Sequence, residues 1–151
     1  VAISYNNLFK DNVIDSLEAI LKNEFPQIPV VYGNQSALRG TQWFRLIPLT
    51  DTTEELEVDG ESRRYALTLK YLVMIGGRED KATHVNRLTA MGEHVKRLLN
   101  NNRNYKPSGT YKYHNLLVNT VDYTADTLED DEKEDLSAVS WNLEVSVGET
   151  F

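Results

Sequence analysis

The 151-residue chain has no cysteine, which excludes disulfides, thiolate metal sites and cysteine nucleophiles. No apolar run approaches the roughly 18–20 residues needed to cross a bilayer; the longest, Tyr71–Ile75, is the size of a strand. The N-terminal VAISYNN has no basic stretch followed by an apolar one, so no signal peptide is visible. With four prolines and eight glycines there is no low-complexity linker, and the length suits a single domain over residues 1–151. Histidine is scarce as well. His84 and His94 fall on one predicted helix, about 80° apart around it and roughly 15 Å along it, too far apart to share a metal. No HExxH spacing accompanies them or His114.

What is present is acid, unevenly spread. The formal net charge is −7. Residues 51–61 (DTTEELEVDGE) carry six acidic side chains and no basic one, and residues 126–135 (DTLEDDEKED) carry seven with one lysine. The rest of the chain keeps 15 basic against 10 acidic residues. A basic body therefore carries two acidic segments, both read as hairpin loops that stay disordered until assembly and then meet either a basic neighbour or a central channel. The acidic pI, near 5.0, argues against free nucleic-acid binding.

Hydrophobic periodicity gives the element order. Val13, Ile14, Leu17, Ile20, Leu21 and Phe25 share one helical face over residues 7–25, capped by Asn6 or Asn7 and stopped by Pro26. Val30–Tyr32 is a short strand. Residues 42–49 form a second strand, with Pro48 at an edge or a bulge. Residues 62–75 alternate, polar on one face in the first half and apolar on both in the second, and form a strand long enough for part of its hairpin, turned at Asp59-Gly60, to stand out as an arm. A second helix is predicted over 80–100, then strands over 111–123 and 137–147. The fold class is α+β: a mainly antiparallel sheet of about five strands, two helices on one face, and long projecting hairpins.

Tests for chemistry return little. The acidic segments lack the ligand order and glycine placement of a calcium loop. Most acid is expected in loops, with Asp122 and Glu144 the isolated strand exceptions, so a two-metal nuclease site is not indicated. There is no G-x-S-x-G, and Gly76-Gly77 lacks the rest of a phosphate loop. No catalytic residue, metal ligand or cofactor follows. Basic and aromatic residues near one another in the body leave single-stranded nucleic acid as a lesser possibility. The candidate site is an interface: Glu54, Glu55, Glu57, Asp59 and Glu61 on the first acidic segment, Arg63 and Arg64 beside it, and Glu129, Asp130, Asp131 and Glu132 on the second. Opposite charges on one chain can guide copies of it into register. Replacing Arg63 and Arg64 with Glu is expected to weaken assembly and spare folding.

The order of the helix over 8–25, the segment Pro29-Val30-Val31-Tyr32-Gly33-Asn34, the long hairpin through Phe44–Leu49 and Tyr65–Ile75, the helix Val85–Leu99 and the closing hairpin ending in Trp141–Val147 resembles the tail-terminator (tail-completion) proteins of long-tailed bacteriophages. The resemblance spans nearly the whole chain and rests on element order and hairpin character. It implies a non-enzymatic virion protein without cofactor. Copies would form a ring, a hexamer in that family, that caps the tail tube and joins it to the head connector protein. DNA would pass through the lumen without specific binding, and no membrane would be involved. Two other readings stay open: a different head–tail connector or neck subunit, and a small nucleic-acid-processing domain.

Overall fold

In a computed structural model, the described residues are 2–3, 5, 7–32, 42–74, 81–104, 113–123 and 136–150. The first helical stretch opens at Asn7, whose side-chain oxygen accepts from the Lys10 backbone N–H at 3.3 Å. This cap satisfies one of the donors that a helix start leaves without a partner. The first turns, Phe9–Ile14, are wound as a π-helix. That winding stacks residues five apart, and Lys10 pairs with Asp15; the contact holds the Lys10 ammonium above its ordinary pKa. α1 continues over Asp15–Glu24. It ends where Phe25 N–H donates to the Leu21 carbonyl at 2.7 Å and Pro26 follows.

The strands are β1 (Val30–Tyr32), β2 (Gln42–Glu57), β3 (Gly60–Met74), β4 (Tyr113–Asp122) and β5 (Leu136–Thr150), with α2 (Lys81–Asn101) between β3 and β4. They form one sheet in the order β1-β2-β3-β5-β4. Only β1 on β2 is parallel; the other pairings are antiparallel. The α+β class and the mostly antiparallel sheet are therefore as the sequence suggests. α2 is closed by Asn102, just past its end, whose side-chain amide donates to the Leu98 carbonyl at 2.8 Å. The asparagine run that marks this end in the sequence thus meets the carbonyls that the last turn leaves open.

Strand alternation sorts the two faces of the sheet. One face packs against both helices. Phe44, Leu46, Leu67, Leu69, Val139, Trp141, Leu143 and Val145 join Leu17, Leu21, Val95 and Leu99 in one buried cluster. Each such aliphatic side chain contributes about 1.5–3 kcal/mol when fully buried. The other face is mixed. Trp43, Leu72 and Ala138 form a small second cluster with Val31. Next to it, Arg45, Lys70 and Ser140 lie level across three strands, and beyond them Thr68 donates to Asn142 at 3.3 Å.

Two expectations are corrected here. β2 does not stop near Leu49 but runs to Glu57, and β3 begins at Gly60. The segment expected to be an acidic loop is thus strand on both sides of a turn at Val58-Asp59. The arm is also not a lone hairpin. β5 pairs with β3 as far as Gly60↔Thr150, so three strands reach the tip. The ladder to a complete neighbouring strand satisfies the backbone whatever the side chains are, which is how an acid-rich, apolar-poor segment stays ordered.

Candidate functional site

The arm begins where the helix layer ends. Phe9 packs on Tyr65, ring centroids 4.4 Å apart, and every β2 residue from 51 to 57 is exposed. The residues between that contact and the tip span roughly 20 Å at strand spacing. Two register shifts interrupt β2, between Pro48 and Thr50 and between Thr53 and Glu55. The first is the irregularity expected at Pro48, where the missing N–H makes a regular ladder unfavourable. The second leaves Glu54 between the paired residues Thr53 and Glu55.

Arg63 and Arg64 are neighbours on β3 and so point to opposite faces of the arm. On the helix side, Arg63 donates to the Tyr65 hydroxyl at 3.3 Å and sits 3.0 Å from Glu61 and 3.6 Å from Asp51. The Tyr65 bond and then Glu61 raise the pKa of its guanidinium further. On the other side, Arg64 meets Glu54 at 2.6 Å and Glu144 of β5 at 3.2 Å. Glu54 is the larger cause of its raised pKa and Glu144 a smaller one. Glu61 accepts from the Thr53 hydroxyl at 2.6 Å; that bond, then Arg63, lowers its carboxyl pKa.

Among the residues predicted for the interface, the structure thus joins Glu54 with Arg64, and Glu61 with Arg63. Glu55, Glu57 and Asp59 stay exposed toward the tip and, with Gly60, Glu61, Ser62 and Gly148, line an open hollow of about 440 Å³. Glu129, Asp130, Asp131 and Glu132 lie outside the described residues. The two arginines each have carboxylate partners within the chain. Reversing both charges would set glutamates against Glu54, Glu144, Glu61 and Asp51, so such a change would disturb the arm's own ion pairs as well as any contact with a partner.

Sequence reasoning missed Thr53, Asp51 and Glu144 as partners of this network. Glu144 carried a signal, as a carboxylate within the alternating apolar run Val139–Val147; its role depended on knowing that β5 lies beside β3. Leu56 and Val58 were also passed over. They are 68% and 101% exposed at the tip, apolar side chains that contribute nothing to the core. Among the described residues, no group of His, Asp and Glu could hold a metal ion, and no helix is long and apolar enough to cross a membrane. The arrangement has the chemistry of a contact surface: fixed charges, exposed apolar side chains and strand backbone.

No protein-family model and no curated protein sequence matches the chain. One solved structure, whose name says nothing of function, aligns over 96% of this chain and 96% of its own with a TM-score of 0.56 at 16% identity. Likeness at that identity concerns the fold.

Proposed function

We propose that this chain is a structural virion protein that assembles into a ring on the end of a phage tail tube, stops its growth and offers a new surface to the head connector. The observation that carries the reading is the arm. A long, ordered, charged extension of the sheet, whose β2 residues from 51 to 57 are all exposed, is material for contacts between proteins. The element order that resembles tail-terminator proteins supports it. So does the mixture of exposed Leu56 and Val58 with fixed acids, since interfaces combine apolar anchors with a polar rim. Electrostatic complementarity at such a surface would set register and partner choice more than affinity.

In this mechanism the ring docks by its sheet and loops on the last tube layer and blocks the surface where the next layer would add. The test is tube growth followed by electron microscopy. Purified chain added to polymerising tail-tube protein should cap tube ends and shorten the length distribution. Tubes that grow to the same lengths with bare ends, at chain concentrations well above that of the ends, would remove the reading.

A further inference from the structure

Among the described residues the sheet has two edges that are unpaired over much of their length. β1 covers β2 only at Phe44–Leu46, so among the described residues the outer edge of β2 is open from Ile47 to Glu57. At the other end of the sheet, among the described residues, the ten-residue β4 pairs only with β5. Strand edge left unpaired is a template for another strand, here in short stretches, because β2 and β4 are each interrupted at two places and Asn115 and Leu116 N–H already donate to Asn104 and Arg103.

Three observations say which strand. The first is charge. β2 carries Asp51, Glu54, Glu55 and Glu57 along its open edge, so two β2 edges would place like charges opposite each other, which is destabilising. Beside the β4 edge lie charges of both signs, with Glu93 close to Tyr123 and the cations Lys96 and Arg103 further toward the start of β4. α2 tracks β4, from Gly92 beside Tyr123 to Arg103, whose carbonyl accepts from Leu116 N–H at 3.1 Å. His94 on α2 meets Glu24 at 2.8 Å and packs on Phe25, which marks the flank that faces α1. At about 100° per residue, Lys96 falls on the opposite flank of α2, away from α1, and Arg103, in the turn after α2, is held beside β4 by its bond to Leu116. Both are exposed.

The second observation is level. Asp51 pairs with Tyr65, and Tyr65 with Val145. Opposite Val145, the β4 register is interrupted between His114 and Leu117, where Leu116 is bonded to Arg103. Asp51 and Arg103 therefore sit at the same height, on the helix face, at opposite edges of the sheet. The third is direction. β2 runs parallel to β5 and β4 antiparallel to both. A second copy set beside the first in the same orientation therefore presents its β4 antiparallel to the open β2.

We infer that copies of this chain join head to tail, with the open β2 edge of one against the β4 edge of the next and Asp51 against Arg103. The contact is heterologous, so it can repeat around a closed ring, and main-chain bonds supply its affinity as in other strand additions. The inference rests on the reading of the chain as a ring subunit and names the surfaces of that ring. Its test uses the full chain in sedimentation velocity over a concentration series, with hydrogen exchange on the same samples. The wild-type protein should self-associate, and amides of residues 49–56 should gain protection as concentration rises. Asp51→Lys and Arg103→Glu should each weaken association about tenfold, and the doubly substituted chain should recover most of it. If the wild type assembles but neither variant nor the β2 amides respond, this surface is wrong and the ring reading stands. A wild type that stays monomeric at the highest concentrations, with unchanging β2 protection, overturns this inference; capping of tube ends then decides the ring reading by itself.

Discussion

One strand, β3, passes through two environments, and the difference between them separates fold from function. From Tyr65 to Val73 its odd-numbered side chains are buried beneath the helices. From Gly60 to Arg64 the same strand, in the same register with β5, carries half-exposed polar and charged side chains. The body is held by apolar burial. The arm is held by backbone ladders and by ion pairs that, at this exposure, contribute about 0–1 kcal/mol each. Stability therefore resides in the body, and the arm is free to carry residues chosen for another purpose.

The comparison can be broken most forcefully at Trp141. It is 0% exposed, and its indole N–H donates to the Gly92 carbonyl at 3.2 Å. Trp141→Ala should cost about 3–5 kcal/mol, read as a large fall in denaturation midpoint. Leu56→Ala in the arm should change the midpoint by no more than about 0.5 kcal/mol. Comparable losses at both sites would mean that the arm shares the core's role.

A smaller effect is expected where α2 meets the end of β4. A Cβ at Gly92 would come within 2.7 Å of two ring carbons of Tyr123 and closer still to its hydroxyl. Gly92→Val should therefore destabilise by about 1–3 kcal/mol through overpacking. Removing the ring with Tyr123→Ala should make the second change far less costly. In that background, Gly92→Ala should stabilise by up to about 1 kcal/mol through helix propensity. Additive losses in thermal melts would show that the contact does not limit this site.

The smallest effect is local to the arm. Glu61 has its carboxyl pKa lowered in the folded chain, by Thr53 first and Arg63 second. A lowered folded pKa means that the charged form is the stabilised one. Its contribution is present above the unfolded value of about 4.3 and is lost as pH falls through the folded value. A carboxyl-carbon NMR titration should place the Glu61 midpoint below the ordinary glutamate range, and Thr53→Ala should move it back up. A midpoint unmoved by Thr53→Ala would show that the hydroxyl does not hold it.

The same comparison explains what could be read from the sequence. Both helices, the short β1 and the alternating stretches of β3 and β5 were legible because burial imposes a period, and a period survives in the residue order. Residues 51–57 impose none: they are exposed throughout, so nothing in DTTEELE distinguishes a paired strand from a loop. Their pairing follows from β3 and β5, which extend beside them. The site was legible as composition, in the cluster of Glu54, Glu55, Glu57, Asp59 and Glu61 beside Arg63 and Arg64. Its internal pairing was not, because Glu144 reaches Arg64 across 80 positions through a strand order that no local pattern encodes.

β5 runs unbroken from Leu136, opposite Met74, to Thr150, opposite Gly60. The arm is therefore no flap on a hinge. A load applied at its tip along the strands is met in shear by every ladder bond between β3 and β5, and reaches the packed layer beneath Trp141 without crossing a loop. A protein shaped in this way transmits displacement between its two ends as a stiff lever does.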